Sequence, residues 1–346
     1  MGNIATVATS PNIALIKYWG KRDDLLKLPL NDSISITLDN GVLCTTTTMM
    51  VSPEMKKDVF VLNGKIREDG KISEALMLIR KRLQGQKKGF LDGEKVLLIS
   101  ENNFPTSGGV ASSASGFAAI AEAVCSIYGI KDAKEKSIMA RFGSGSASRS
   151  VYGGFVRWKN GTRADGEDSY AVQIAPKSHW PEVIDVLAII SKKEKKVSSK
   201  EGMENTARES GLLPARVEGV KVRVERMQKA VLEKDFATMA ELTMRDSNNM
   251  HATMLDSWPP VFYLNESSKQ AIEAVHEFNS GEIKAGYTFD AGPNAHIITL
   301  KKYEREVVGL LREVEGVGEV VCAPVGDGPK QLKPDKKIVD YYLAKN

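Results

Sequence analysis

One run constrains this chain more than any other. An apolar strand-like segment at 96–99 gives way to a polar, glycine-rich stretch at 100–115, and then to an alanine-rich helix at 116–128 stopped by Gly129. Such a strand, small-residue loop and helix in series turns several backbone N–H groups toward the positive end of a helix dipole, where an anion is favoured. Pro105, Ser107, Gly108, Gly109, Ala111, Ser112 and Ser113 make up the loop's centre. A Walker A pattern is missing, so a phosphate held here would rest on backbone amides and the Ser112 and Ser113 hydroxyls. Taken alone, the stretch reads equally well as a tight turn with a helix cap.

The surrounding pattern is α+β. Strand-like runs at 4–8 and 13–19 are followed by an alternating segment at 33–38, which predicts a half-buried strand. Asn63-Gly64 between 58–62 and 65–68 is a strong hairpin signal. Apolar residues at Ile72, Leu76, Ile79 and Leu83 predict a helix that leaves Arg80, Lys81 and Arg82 as a solvated face. A helix at 132–142 then enters a second small-residue loop, 143–150, before a strand at 155–159. Past Pro181 the pattern changes to a strand at 186–191, helices at 217–233, 236–248 and 267–278, and strands at 286–289, 296–300 and 319–322. With 346 residues, two domains are expected: residues 1–180, carrying the first loop, and residues 181–346, built on an antiparallel sheet.

Composition excludes other classes. Forty-eight Lys and Arg against 44 Asp and Glu give a net charge of only +4, which argues against nucleic acid as a partner. No run of 18 apolar residues and no secretory leader pattern occurs, so no membrane partner is expected. Cys44, Cys125 and Cys322 are widely spaced, which suggests neither a disulfide framework nor a zinc site and fits a reducing, cytoplasmic location. His179, His251, His276 and His296 show no ligand spacing, so no protein-bound metal is expected.

The series Pro-x3-Gly-Val-x-Ser-Ser-Ala, from Pro105 to Ala114, resembles the ATP-phosphate loop of the superfamily of galactokinase, homoserine kinase, mevalonate kinase and phosphomevalonate kinase (GHMP). Longer motifs narrow this. Asn12-Ile-Ala-Leu-Ile-Lys-Tyr-Trp-Gly-Lys21, Asn31-Asp-Ser-Ile-Ser35, Glu101-Asn-Asn-Phe-Pro105, Gly143-Ser-Gly-Ser146 with Arg149, and Tyr287-Thr-Phe-Asp-Ala-Gly-Pro-Asn-Ala295 together resemble the mevalonate diphosphate decarboxylases. Val197-Ser-Ser, Asp246-Ser-Asn and Leu255-Asp-Ser-Trp-Pro-Pro extend the likeness. What the resemblance implies is a two-domain fold with a ligand cleft between the domains, and ATP-dependent decarboxylation of mevalonate 5-diphosphate through transient 3-O-phosphorylation. It also implies Mg2+ arriving with ATP and a homodimer. Two other readings are a superfamily kinase or monophosphate decarboxylase acting on a mevalonate derivative, and a catalytically silent nucleotide-binding paralogue.

The same resemblance assigns roles. Asp290, between a strand and the turn Ala291-Gly-Pro-Asn294, would be the general base, Lys17 would stand near the reacting end, and Arg149 would orient the substrate carboxylate. An ordinary ionised aspartate suffices for a loose phosphoryl-transfer transition state. Tyr18, Trp19, Gly20 and Lys21 would face the diphosphate; Ser144, Gly145, Ser146, Ala147, Ser148, Ser198 and Ser199 would also bind substrate. Asn12 and Lys71 join the loop residues as expected ATP contacts.

Overall fold

Residues 3–85, 94–104, 112–191 and 196–345 are described in the structure, a computed structural model. Pro105, Ser107, Gly108, Gly109 and Ala111 lie outside the described residues.

The first strand-like run forms the strand Asn3–Thr9, which pairs antiparallel with Thr45–Ser52 on one side and Lys330–Leu332 on the other. These belong to a six-stranded sheet completed by Lys95–Asn102, Val59–Leu62 and Lys65–Arg67. Val59–Leu62 runs parallel to Lys95–Asn102, and Asn63 and Gly64 take the positive φ values, 48° and 74°, that a tight hairpin requires. One face buries Val7, Met49, Val51 and Leu98 against the helices Gly70–Gly85, Ser112–Ile127 and Ala133–Gly143. On the other, Met50, Val61 and Leu97 meet Val339 and Tyr342 of the last helix, Lys336–Ala344. The chain's end therefore packs back on its first sheet.

Among the described residues, a two-stranded ribbon, Lys21–Asp23 with Leu28–Pro29, and two four-stranded sheets make the rest. Asn12–Ile16, Ser33–Thr37, Phe155–Trp158 and Ala171–Ala175 form one; Ala285–Phe289, Ala295–Leu300, Val183–Ile189 and Glu319–Pro324 form the other, antiparallel as expected. The helices Leu213–Glu233 and Phe236–Leu255 share a core with both: Val220, Val224, Met227 and Met239 pack with Ile13, Leu15 and Ile34 and with Val183, Leu187 and Ile298. Glu266–Phe278 and Glu304–Glu313 cover the far side of the last sheet through Ala271, Val275, Val307 and Leu311.

Three expectations need correction. Ser33–Thr37 is buried along its whole length, not half-buried, because the polar face that alternation assigned to water is taken by a buried arginine, Arg149. Nor is the basic run on the first helix simply a solvated face: Arg80 makes a two-pronged bond to Asp58, and Arg82 bonds both Glu135 and Glu167. Finally, the helix expected at 236–248 continues to Leu255. The polar residues at and just past the expected end find partners: Asn249 accepts from Arg216 and Arg223, while the more exposed Asn248 donates to the Tyr287 hydroxyl.

Candidate active site

Strand Asn12–Ile16 is fully buried, and Lys17 is the first residue beyond it. Its main chain is pinned at both ends: the N–H donates to Asp246 Oδ2 at 2.7 Å, and the carbonyl accepts from Asn31 Nδ2 at 3.0 Å and Arg216 at 3.3 Å. So fixed, the buried side chain carries Nζ to 2.7 Å from Asp290 Oδ1. Burial lowers the Lys17 pKa, while Asp290 and Asp246 pull it back up. Asp290 follows Phe289, the last residue of its strand, and its carbonyl accepts from the Gly292 N–H at 2.8 Å. With 30% of its side chain exposed, Asp290 can meet a ligand that Lys17 cannot.

Arg149 is only 2% exposed, and its bonded partners among the described residues are neutral. Nε donates to Asn12 Oδ1 and Ser35 Oγ at 3.2 and 3.0 Å, Nη1 to Ser33 Oγ at 2.5 Å, and Nη2 to Asn12 Oδ1 at 3.1 Å. Desolvation brings its pKa down to about 10 against the opposing influence of Asp290 and Tyr18, so it remains a cation at neutral pH. A buried cation held by hydroxyls and an amide suits an anionic ligand. Asn12, expected as an ATP contact, is buried beside Arg149, its amide donating to the Ser146 carbonyl at 3.0 Å and to Ser150 Oγ at 2.8 Å.

The second small-residue loop begins where helix Ala133–Gly143 ends. Ser144 Oγ lies 3.2 Å from Ser146 Oγ and 3.4 Å from Ser113 Oγ, which brings the two serine-bearing segments together. Gly145 is required by close approach: a Cβ there would stand 2.8 Å from both Tyr18 and Trp158. Ser148 Oγ donates to the Gly145 carbonyl, and Ala147 is buried, so these two shape the loop from within. Beside Ser112 and Ser113 opens a cavity of about 300 Å³ lined also by Thr45, Asn63, Lys71 and Phe117. Lys71, at the start of the first helix, thus shares one cavity with the phosphate-loop serines.

The Tyr18–Lys21 segment divides. Tyr18 packs edge-on to Trp158 at 4.8 Å, and burial raises its hydroxyl pKa. Trp19 is 3% exposed: its Nε1 donates to Thr206 at 3.2 Å, and its ring lies edge-on to Tyr263. Gly20 has φ +94°, with Leu30 2.7 Å from where a Cβ would stand. Lys21 pairs with Asp24, which also draws Lys27 Nζ to its carbonyl at 2.7 Å and Lys200 Nζ to Oδ2 at 3.6 Å. Burial, then Lys27, lowers the Lys21 pKa. Three ammonium groups around one exposed carboxylate form a place where a diphosphate could compete with Asp24. Ser198 caps the helix Ser199–Glu209, its hydroxyl accepting from the Glu201 N–H at 3.2 Å, and Ser199 is the first helical residue.

Sequence reasoning gave no role to Asp246, Arg216, Arg223, Ser247 or His251. Asp246 is fully buried and takes Arg216 at 3.1 Å and Arg223 at 2.9 Å besides the Lys17 N–H. The signal was present as Asp246-Ser-Asn, a polar triplet inside an apolar helix.

The sheet and helix arrangement, with a serine-bearing helix start meeting a small-residue loop beside a cavity, is a GHMP-kinase-like α+β fold. Two family descriptions match: the diphosphomevalonate decarboxylase-like N-terminal domain over residues 9–171, and the mevalonate 5-diphosphate decarboxylase C-terminal domain over residues 185–319. The diphosphomevalonate decarboxylase of Candida albicans is 44% identical over 352 residues, covering 94% of this chain and 97% of the relative. The mevalonate diphosphate decarboxylase of Staphylococcus aureus superposes with a TM-score of 0.88 at 32% identity, covering 96% of this chain and 99% of the other. A chain solved in complex with MVAPP, AMPPCP and magnesium has a TM-score of 0.86 at 33% identity, with coverage of 96% and 100%. The chain belongs to the diphosphomevalonate decarboxylase family.

Proposed function

We propose that this enzyme converts mevalonate 5-diphosphate and ATP to isopentenyl diphosphate, ADP, phosphate and carbon dioxide. The observation that carries the mechanism is the pairing of buried Lys17 with part-exposed Asp290, within electrostatic reach of Arg149. Asp290 accepts the proton of the tertiary 3-hydroxyl as its oxygen bonds the γ-phosphorus of ATP and ADP leaves. The C–O bond to the new phosphate then breaks with its electron pair going to oxygen. The electrons of the bond to the carboxylate become the carbon–carbon double bond, and carbon dioxide departs. Lys17 favours the ionised form of Asp290 before transfer. Arg149, with Ser144 and Ser146, holds the carboxylate; since that charge vanishes in the second step, tight pairing cannot by itself speed the reaction, and the contribution is orientation.

Ser112, Ser113 and Lys71 support placing ATP in the cavity they line, with magnesium entering as part of the MgATP substrate and neutralising phosphate charge. The Lys21, Lys27 and Lys200 cluster supports the diphosphate end. We place the division between domains near Pro181, and propose a cytoplasmic homodimer that serves isoprenoid and sterol biosynthesis. Among the described residues, no helix is long and apolar enough to cross a membrane.

Comparing mevalonate 5-diphosphate with its 5-phosphate as substrates tests this reading. The diphosphate should be preferred by a large factor in kcat/KM, and replacing Lys21 by Met should shrink that preference. A wild-type preference for the monophosphate would contradict it.

A further inference from the structure

Away from the reacting pair, the helices Leu213–Glu233 and Phe236–Leu255 leave an open groove of about 730 Å³ between them, within the range of small-molecule sites. Gly219, Arg223 and Arg226 lie along one face of the first helix, at the four- and three-residue steps that bring side chains together, and Arg245 and Asn249 stand one turn apart on the second. Gly219 leaves the Arg223 guanidinium its place, since a Cβ there would stand 3.0 Å from Nη1.

Charge in the groove does not balance. Its lining holds three guanidinium groups, Arg223, Arg226 and Arg245, against one carboxylate, Glu241, which Arg245 engages at 2.7 Å. Arg226 has no ion-pair partner among the described residues. Arg223 reaches back to Asp246 at 2.9 Å, but that buried carboxylate is shared with the equally buried Arg216 at 3.1 Å, so it cancels only one of the two. An excess of two positive charges is left, and planar guanidinium groups match the paired oxygens of a phosphoryl group. Val222, 63% exposed, and Leu242 give the same groove an apolar wall.

We propose that this groove is a second anion site, one that takes a diphosphate group, free or as the ester of a short hydrocarbon, and that its occupancy slows turnover. The route to the reacting pair is one carboxylate long: Asp246 Oδ1 accepts from Arg223 Nε, and Oδ2 accepts from the Lys17 main-chain N–H at 2.7 Å. An anion that draws Arg223 toward the groove loosens Asp246, and with it the main chain that carries Lys17 to Asp290. The effect on turnover rests on the reading of Lys17 and Asp290 as the reacting centre; the binding does not.

The full chain is tested with inorganic pyrophosphate as the probe, at constant free magnesium. Calorimetry is run with mevalonate 5-diphosphate and MgADP at saturation, so that both substrate sites are filled and no phosphoryl transfer occurs. Wild type should bind one further equivalent of pyrophosphate. Arg226→Gln combined with Arg245→Gln should weaken that binding by about tenfold or more, two charge-assisted contacts being lost, with kcat unchanged when pyrophosphate is absent. At saturating MgATP and mevalonate 5-diphosphate, pyrophosphate should lower the wild-type kcat by about threefold or more and leave that of the double variant unchanged. Isopentenyl diphosphate then separates the two sources: tighter binding than pyrophosphate, lost in Val222→Ser, assigns the site to an ester, and equal binding assigns it to the diphosphate group alone. Pyrophosphate that binds only by displacing mevalonate 5-diphosphate or MgADP, or inhibition that the double variant keeps in full, would overturn the second site. A further equivalent bound with kcat untouched would overturn the route through Asp246. Absence of carbon dioxide release by the wild type would overturn the assigned reaction, while the calorimetric result decides the site by itself.

Discussion

Lys17 and Asp290, 273 positions apart in sequence, meet at 2.7 Å, the first nearly sealed from solvent and the second 30% exposed. An ammonium group sunk behind a carboxylate attracts it from the buried side and leaves the carboxylate as the more open member of the pair. The pair thus has a direction, with the part-exposed carboxylate in front and the buried cation behind it.

Replacing Asp290 by Asn keeps the shape and removes the acceptor. The variant should fold and bind both substrates, while turnover falls by roughly 10² to 10⁴. Calorimetric binding beside carbon dioxide release would check this; near-normal release would refute the base assignment.

Arg149→Lys preserves charge but loses the planar fork that Asn12, Ser33 and Ser35 hold in place. Affinity for mevalonate 5-diphosphate should stay within about tenfold, one charge-assisted hydrogen bond being worth about 1.5 kcal/mol, while turnover falls further. Rapid-quench sampling should then detect a 3-phosphorylated intermediate, since phosphorylation does not need an aligned carboxylate. Unchanged turnover would rule out orientation as the role of Arg149.

Asp246 joins Lys17 to Arg216 and Arg223 in a site where Asp246 and the Arg216 side chain are both fully buried. Asp246→Asn leaves the Arg216 charge without its carboxylate and should cost about 3–5 kcal/mol in urea unfolding. A loss under 1 kcal/mol would show that the network relaxes around the missing charge.

Much of this was legible from local pattern. The hairpin at Asn63-Gly64, the strand before Asp290 and the small-residue segment at Ser144–Arg149 announce themselves by turn chemistry and small residues, whereas Ser112 and Ser113, expected in a loop, already belong to the helix Ser112–Ile127. What escaped was polar burial. Ser33 and Ser35 looked solvent-facing because alternation cannot say whether a polar face meets water or a buried guanidinium. The helix expected to stop at Asn248 runs on to Leu255, and the Asn249 just past that point meets Arg216 and Arg223 from a distant part of the chain. Trp19, grouped with Tyr18 and Lys21 by the resemblance, packs under the helix Ser199–Glu209.

The buried His251 has its own pH signature. Its pKa in the folded state, about 4, lies below the ordinary 6.5, so between those values the unfolded chain binds more protons. Its contribution to stability is therefore complete above about pH 6.5 and declines as pH falls toward 4, by at most about 3 kcal/mol. His251→Leu should flatten the fall of Tm across that window; an identical slope in variant and wild type would contradict a neutral, buried ring.

The most direct measurement is the stoichiometry of a single turnover: enzyme in excess over mevalonate 5-diphosphate, with MgATP, quenched at intervals and assayed for ADP, phosphate and carbon dioxide. The account predicts one ADP, one phosphate and one carbon dioxide per substrate consumed, with ADP formed no later than carbon dioxide and both strongly slowed in Asp290→Asn. ADP without carbon dioxide would make the protein a kinase that stops at phosphorylation, and carbon dioxide release that ignores Asp290 would contradict the Lys17–Asp290 centre.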